Sequence, residues 1–277
     1  MGMRARASIV MSVHDQLALT RACLESLART TEPFELVVVD NGSTDETPQF
    51  FERLAYPHPV HVERNAKNDS VIATLNRAWR AAETDYVCVL HHDTEMLEPR
   101  WLERLLAALA EPGVGLAGLY GAKRLRADGR FVGRTIVHSL AEGPTVRPPW
   151  EEVAVLDAVC MCLSRDLMDA IGGFDESYGV CHGLDRDLSF AVRETGHRCV
   201  VVHAPFHHRG GATRPRDAAE PARERADLAL RREALARFVA KYLDRLPCDV
   251  RPIGDRVRDF VAAHLGRSRR VALEHAR

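Results

Sequence analysis

Two histidines and an aspartate stand together at the end of an apolar run. In the segment DYVCVLHHDTEML, His91, His92 and Asp93 follow Leu90 directly. A carboxylate at the end of a strand can hold a divalent cation, and such a cation assists the departure of a diphosphate. Because neighbouring residues of an extended chain point to opposite faces, His91 and Asp93 are expected to share a face that His92 leaves. The alternative is a surface turn with ordinary polar residues.

A second carboxylate, Asp40, ends the apolar run of VVVDNGSTD. At the end of a strand, a carboxylate can accept a hydrogen bond from a nucleobase imide or a ribose hydroxyl. The sequence Asp-Asn-Gly also forms an Asx turn readily. Both interpretations can hold at once.

A third pair of acids, Asp185 and Asp187, lies in the segment HGLDRDLSF. Both fall in the first turn of a predicted helix, where the helix dipole favours negative charge for structural reasons alone. The functional alternative is a general base that points into a ligand crevice.

Two further histidines, His207 and His208, lie in PFHHRGG. A histidine after a strand can be a metal ligand or a plain surface residue, and the following glycines indicate a bent loop near a ligand. Trp150, in RPPWEE, is a candidate platform for stacking a sugar, with a structural aromatic as the alternative.

Composition limits the classes of protein that this chain can represent. The 277 residues are 46% hydrophobic and carry a formal net charge of -1. That balance suits one large domain, alone or with an appendage, and gives no general attraction for nucleic acid. The scattered cysteines form no CxxC pair and predict reduced thiols in a cytoplasmic protein. No signal-peptide pattern and no segment of membrane-spanning length is evident.

The elements that must position these residues alternate between strands and helices. Apolar runs in ASIVMSV, FELVVVD, VHVERN and DYVCVLH predict strands, and helical patterns follow each of them. We expect Asp15 to cap the first helix, and Ser43 with Glu46 to form a capping box for the second. This order predicts a doubly wound, mostly parallel α/β sheet flanked by helices. Ligands of such sheets bind at the carboxyl ends of the strands, where Val13, His14, Asp40 and the His91–Asp93 triplet fall.

The second half of the chain has a different pattern. Shorter strands joined by glycine turns precede a helix at LDRDLSFAVRETG. Charged amphipathic helices are predicted from about 215 to 241 and from about 255 to 265. These C-terminal helices can close a site, dock a second copy of the chain as a homodimer, or touch a membrane surface. The basic end GRSRRVALEHAR allows a peripheral position at the inner membrane face, with a solvated tail as the alternative.

Taken in order, these segments resemble family 2 glycosyltransferases of the GT-A fold, in a rhamnosyltransferase-like branch. The matching segments are SIVMSVHDQ, LVVVDNGSTDET, VLHHDTEMLEPRWLERLLAAL, DAVCMCLSRDLMDAIGGFDESY, LDRDLSFAVRETGHR and HHRGG. The GGFDE loop, followed by an acid pair and a TGHR helix end, is the most specific of these signals. The resemblance implies a GT-A domain over residues 1–212, with a nucleotide-binding half at about 7–120 and an acceptor half at about 121–212. A helical extension over 213–277 completes the chain.

The resemblance also implies an activity and residue roles. The reaction is inverting transfer of a sugar from a nucleoside-diphosphate sugar, with UDP or dTDP favoured, to a hydroxyl of a glycan, lipid-linked or small-molecule acceptor. Asp185 is the implied general base. The implied donor contacts are Ser12, Val13, His14, Asp40, Asn41, Asn65, His92 and Asp93. The implied acceptor or sugar contacts are Gly173, Phe174, Asp187, Trp150 and His182. The implied ligands of Mn²⁺ or Mg²⁺ are Asp93, His91, His207 and His208, and imidazole favours manganese.

The sequence departs from the family pattern at three places. His91 replaces the first acid of the DXD motif, Leu184 replaces the acid before the base, and NAKNDSVIA replaces a glycine-rich stretch. A sugar nucleotidyltransferase is an alternative, but SVHDQLALT lacks the glycines of its phosphate loop. A non-catalytic nucleotide- or glycan-binding relative would explain the missing acids. A zinc hydrolase would require His91, Asp93 and His207 to converge at metal distances.

Overall fold

The computed structural model describes residues 4–209, 220–257 and 260–261. The strands are β1 Ala7–Val13, β2 Phe34–Asp40, β3 Val60–Arg64, β4 Tyr86–Leu90, β5 Thr94–Met96, β6 Val114–Gly118, β7 Tyr120–Ala122, β8 Arg124–Leu125, β9 Ile136–His138, β10 Trp150–Val153, β11 Val155–Leu156, β12 Cys160–Ser164, β13 Arg198–Val202, β14 Phe206–His208 and β15 Cys248–Asp249. The α-helices are α1 Leu17–Leu27, α2 Thr47–Glu52, α3 Val71–Ala81, α4 Trp101–Leu109, α5 Arg165–Ala170, α6 Leu184–Glu194 and α7 Glu220–Lys241. Short 3₁₀ turns lie at Gly133–Thr135, Glu176–Tyr178 and Leu243–Arg245.

The central sheet has the order β10-β13-β6-β12-β4-β1-β2-β3. Strands β1 to β4, β6 and β13 run in one direction, and β10 and β12 run in the other. The predicted mostly parallel α/β sheet is therefore confirmed. The apolar runs predict it because a strand that is covered by helices on both faces has no polar face to show in its sequence.

The register of the parallel strands aligns their carboxyl ends. Val13 of β1 pairs with Asp40 of β2, and Asp40 pairs with Arg64 of β3. The ladder continues one residue further, because the Asn41 N–H donates to the Val13 carbonyl at 2.7 Å and the Asn65 N–H donates to the Asp40 carbonyl at 2.8 Å. The side chains that follow these strands therefore start from the same edge of the sheet.

Apolar side chains cover both faces of this sheet. On one face, Leu24 and Leu27 of α1 pack with Trp101 of α4. On the other, α3 and α6 contribute a second core that also includes Phe238 of α7. The Phe238 side chain is fully buried and packs edge-on against Phe190, with 4.9 Å between ring centroids. Burial of one such side chain contributes about 1.5–3 kcal/mol, which anchors α7 to the core.

The expected helix caps are wrong at both of the first two helices. Asp15 and Gln16 have φ angles of 51° and 58°, and the Leu17 N–H donates to Asp45 Oδ2 at 3.1 Å. The other oxygen of Asp45 accepts the Thr47 N–H at 3.0 Å. The Asp45 carboxylate thus accepts a backbone N–H from the first turn of each helix, whereas the side chains of Asp15 and Ser43 cap neither helix. Local spacing could not predict this, because the α1 cap comes from the loop after β2.

The predicted boundary between residues 212 and 213 lies in 210–219, outside the described residues. The predicted helix at 215–241 is described from Glu220 to Lys241. The predicted helix at 255–265 is described only at 255–257 and 260–261, which are helical.

Candidate active site

A cleft of about 920 Å³ lies at the carboxyl ends of β1, β2 and β4. Its first wall comes from the strand ends and the loops beside them, namely Ser12, His14, Asn41, Asn68, Val71, Leu75, His91, His92, Asp93, Asp157, Ala158 and His208. Its second wall comes from the start of α6, the loop before it, α7 and one further aromatic, namely Cys181, His182, Gly183, Leu184, Asp185, Arg186, Asp227, Arg231, Ala234, Leu235 and Phe131. Asp93 and Asp185, the two carboxylates central to the predicted chemistry, therefore line one cleft.

A hydrogen-bond network centred on Asn41 holds the part of the first wall at the ends of β1 and β2. The Asn41 amide donates to Asn68 Oδ1 at 3.0 Å, and its Oδ1 accepts from Asn65 Nδ2 at 2.6 Å. His14 Nδ1 lies 3.0 Å from the Asn41 carbonyl oxygen. Gly42 follows at φ 73°, where a Cβ would come within 2.3 Å of the Lys67 carbonyl carbon. This packing presets the positions of the polar groups near the ends of β1 and β2.

Asp40 lies in the predicted region but does not line the cleft. Its side chain is 2% exposed. Its Oδ1 accepts the Ser43 N–H at 2.9 Å, and its Oδ2 lies 3.3 Å from Arg64 Nε. This is the turn-forming contact that the Asp-Asn-Gly sequence predicts. Val13 and Asn65, two other implied donor contacts, also lie outside the cleft lining.

Three side chains form a cluster suited to a metal ion. One ligand atom from each of His91, Asp93 and His208 lies within 4.8 Å of the other two. His208 Nε2 is 3.2 Å from Asp93 Oδ1, and the centroids of the His91 and His208 rings are 5.6 Å apart. Strand β14 pairs with β5 so that His208 is opposite Thr94 and His207 is opposite Glu95. His207 points to the other face of β14 and is absent from the cluster, because adjacent strand residues alternate.

The electrostatics of this cluster fit a divalent cation. Burial lowers the pKa of His91, so its ring is neutral near pH 7. Burial raises the pKa of Asp93, but the hydrogen bond and charge of His208 outweigh burial, and the net pKa lies below its ordinary value. Burial lowers the pKa of His208, but Asp93 outweighs this effect and the net pKa is raised. A neutral imidazole and an ionised carboxylate are the states that ligate metals, so His91 and Asp93 are already in ligating states, whereas His208 must lose its extra proton to solvent when a cation binds.

His92 lines the cleft but faces α1. Its Nδ1 lies 3.0 Å from Thr20 Oγ1. Burial lowers the pKa of His92 to about 4, so the ring is neutral at physiological pH. This contact ties the end of β4 to α1, as expected for a residue pointing away from His91 and Asp93.

Asp185 enters the cleft from the first turn of α6, which begins after Gly183 at φ 87°. Its side chain is 15% exposed, and it accepts the Arg186 N–H at 2.8 Å. Burial raises the pKa of Asp185, the adjacent Arg186 charge lowers it, and the charge of Asp157 raises it, with a net increase. A carboxylate with a raised pKa is a stronger base than an exposed one, which suits proton abstraction.

Asp187 points away from the cleft, although it is an implied acceptor contact. It is 4% exposed, accepts the Tyr178 hydroxyl at 3.0 Å and lies 2.8 Å from Lys241 Nζ. Helix residues two positions apart do not share a face, so only one of Asp185 and Asp187 can face the ligand. Asp187 instead joins α6 to the end of α7.

Three further implied acceptor contacts also have clear positions. Gly173 and Phe174 pack against α3, where Asn76 accepts the Phe174 N–H at 2.9 Å and donates to its carbonyl at 2.8 Å. Trp150 lies on β10 at the edge of the sheet, with the Arg198 guanidinium 5.4 Å from its ring centroid. These residues lie outside the cleft lining, whereas His182 lines it.

Sequence reasoning missed four charged residues of the cleft, namely Asp157, Arg186, Asp227 and Arg231. Asp157 follows β11 and accepts the Val159 N–H at 3.0 Å, and its charge acts on His91, His208 and Asp185. Its signal was an acid directly before the apolar run of β12. The Arg186 guanidinium lies 4.3 Å from the centroid of the Phe131 ring. No local pattern distinguishes Arg186 from the many other arginines of the chain.

The fold and the cleft define an α/β enzyme of the GT-A architecture. Residues 8–167 match the model of glycosyl transferase family 2, and the chain belongs to that family. Membership confirms the family that the motifs predict, and it counts against the nucleotidyltransferase and zinc-hydrolase alternatives.

Known relatives support this assignment. The O-antigen biosynthesis protein RfbC of Myxococcus xanthus is 30% identical over 236 residues, which cover 76% of this chain and 18% of RfbC. The mannosyltransferase PcManGT of Pyrobaculum calidifontis, solved with GDP-Man and Mn²⁺, superposes with a TM-score of 0.55 at 19% identity, over 95% of this chain and 81% of that one. S. aureus TarS 1-349, solved with UDP-GlcNAc, superposes with a TM-score of 0.57 at 19% identity, over 87% and 72%. The chain spans a quarter or less of the length of two curated relatives that it matches.

Among the described residues, no helix combines the length and the apolar character that a membrane span requires. Helix α7, which has 22 residues, carries charges along its length.

Proposed function

We propose that this chain transfers a sugar from a nucleoside-diphosphate sugar to an acceptor hydroxyl with inversion at the anomeric carbon. One observation carries the proposal: Asp185, a carboxylate with a raised pKa, lines the same cleft as the His91–Asp93–His208 cluster. A base and a diphosphate-binding group in one cleft are what a single displacement requires.

The first wall holds the donor. Ser12, His14 and Asn41 offer polar groups to the base and ribose, at the strand ends where ligands of such sheets bind. His91, Asp93 and His208 hold a divalent cation, Mn²⁺ in preference to Mg²⁺. When bound, this ion neutralises charge that develops on the leaving diphosphate.

The second wall supplies the base. Asp185 takes the proton of the acceptor hydroxyl while that oxygen attacks the anomeric carbon from the face opposite the diphosphate. The new carbon–oxygen bond forms as the bond to the diphosphate breaks, and the diphosphate departs with the electron pair. Attack opposite the leaving group inverts the configuration. The negative charge of Asp157 favours the positive charge that the sugar ring develops in an oxocarbenium-like transition state.

The acceptor enters beside α7. Arg231 of this helix lines the cleft, and its guanidinium N–H groups that do not bond to Asp227 offer hydrogen-bond donors to the acceptor. A glycan, lipid-linked or small-molecule hydroxyl is the acceptor class. The solved structures with GDP-Man and UDP-GlcNAc support a nucleotide-sugar donor. We propose that its nucleotide is UDP or dTDP.

Thermal denaturation with UDP, dTDP and GDP, each with and without Mn²⁺, tests the donor side. A nucleotide at about 100 times its Kd stabilises the native state by about 2.7 kcal/mol. We expect the Mn²⁺-dependent part of the increase in Tm to disappear in Asp93→Ala and to remain in His207→Ala, the matched control. Donor sugars that carry the selected nucleotide are then assayed for release of the diphosphate. No stabilisation by any nucleoside diphosphate with Mn²⁺ would refute the proposal.

A further inference from the structure

A second group of metal-binding side chains lies on the other wall of the cleft. One ligand atom from each of Cys181, His182 and Asp227 lies within 4.8 Å of the other two. Cys181 and His182 belong to the loop that precedes α6, and Asp227 belongs to α7, so the group joins two segments distant in sequence. All three residues are half-buried, and none belongs to the His91–Asp93–His208 cluster.

The donor types and their support indicate a particular cation. A thiolate, an imidazole and a carboxylate together suit Zn²⁺, which binds all three in tetrahedral sites. His182 Nε2 already lies 2.8 Å from Asp227 Oδ1, and the other oxygen of Asp227 lies 2.8 Å from Arg231 Nε. Arg231 therefore orients the carboxylate from behind, as neighbours of metal ligands commonly do.

The backbone brings the two segments into close contact at this point. Gly183 adopts φ 87°, and a Cβ there would lie 3.3 Å from the Ala234 Cβ of α7 and 2.4 Å from Tyr178 Cδ1. Zinc–ligand bonds of about 2.0–2.3 Å place ligand atoms roughly 3.5 Å apart, so small side-chain rotations complete the set.

We propose that Cys181, His182 and Asp227 form a zinc site that fastens α7 to the loop before the base Asp185. Binding would release the thiol proton of Cys181 to solvent. The Nε2 proton that His182 donates to Asp227 would also leave, with Nδ1 carrying the ring proton in its place, so that the neutral ring could bind the metal through Nε2. The fourth tetrahedral position is open to water. Zinc thereby orders the helical wall of the cleft, a role separate from diphosphate binding.

Titration of the metal-free chain with Co²⁺ tests this site independently of sugar transfer. Cobalt bound to a thiolate shows a charge-transfer absorption in the near ultraviolet, which a site of imidazole and carboxylate alone lacks. We expect this band in the wild-type chain, in Asp93→Ala and in Cys248→Ser, the matched cysteine control. We expect no band in Cys181→Ser and at least a tenfold weaker affinity in Asp227→Asn, which retains the thiol. Zn²⁺ should displace the cobalt and raise the Tm of the wild type.

Three results would overturn the proposal. They are the absence of a thiolate band in the wild type, its persistence in Cys181→Ser, and its loss in Asp93→Ala. The wild-type result decides the matter even if a variant fails to fold. Loss of sugar transfer with the band intact would count against the proposed function and leave the zinc site standing.

Discussion

The two walls of the cleft are positioned by different forces. The first wall follows from strand register: parallel β1 and β2 end together, and their ends carry His14 and Asn41. The second wall depends on packing between elements far apart in sequence, because α7 is held at the cleft by contacts such as that of the buried Phe238 with Phe190 of α6. The difference teaches that the donor side is built into the sheet, whereas the base side relies on contacts that single substitutions can loosen.

The largest expected effect separates the two acids of α6. Asp185→Asn should lower kcat by about 10²–10⁴-fold, the usual contribution of a general base. Asp187→Asn should act mainly on the free energy of unfolding and have little effect on kcat, since Asp187 bonds to Tyr178 and Lys241. Steady-state kinetics of both folded variants make the test. A wild-type rate for Asp185→Asn would show that the base is assigned to the wrong residue.

The next effect concerns the two adjacent histidines of β14. His208→Ala should weaken Mn²⁺ binding by about 10- to 100-fold, because it removes one member of the cluster. His207→Ala should change the affinity by less than twofold, because that side chain lies on the opposite face. Titration calorimetry with Mn²⁺ measures both. Equal losses in the two variants would contradict the alternation on which the cluster rests.

A smaller effect concerns the attachment of α7. Lys241→Met removes the cation 2.8 Å from both Asp175 and Asp187. We expect a loss of about 1–3 kcal/mol in unfolding free energy, because a buried carboxylate loses a partner while Lys241 is partly solvated. Each kcal/mol of that loss should lower Tm by roughly 2–4 °C. Arg245→Met, which breaks a surface pair with Glu194, is the control and should have little effect.

The smallest expected effect is an increase in the stability of the folded chain when the proposed base, Asp185, is replaced. Burial raises the pKa of Asp185 in the folded chain above that of the unfolded chain, so ionisation near pH 7 disfavours the folded state. Asp185→Asn should therefore raise the Tm at neutral pH. The gain should vanish below about pH 3.9, the ordinary pKa of an aspartate, where the carboxyl is protonated in both states. A gain that does not depend on pH, or a loss at neutral pH, would contradict this account.

Some of the site could be predicted from residues alone. The strand ends could be predicted, because apolar runs locate the parallel strands and the residues that follow those strands lie at one edge of the sheet. Asp93 was found this way. The choice between His207 and His208 could not be made, because it depends on how β14 pairs with β5. Asp187 was likewise indistinguishable from Asp185 until the faces of α6 were known.

Further features depend on tertiary structure that the sequence does not record. Trp150 has the aromatic ring that a sugar-stacking platform requires. However, β10 is an edge strand of the sheet, and three strands separate it from β4. The Asp45 contact to α1 crosses from one loop to another, and no periodicity records it. The helix α7 was predicted from its sequence, but its packing against α6 was not, because few apolar residues among its many charges enter the core.

The anomeric configuration of the first-formed product tests the central claim most directly. With a donor accepted by the wild type, the one-bond carbon–proton coupling constant at the anomeric carbon of the transferred sugar, measured by NMR, distinguishes the two anomers. A single displacement assisted by Asp185, opposite a diphosphate held at the Asp93 cluster, predicts inversion. Retention of the donor's configuration would contradict the account.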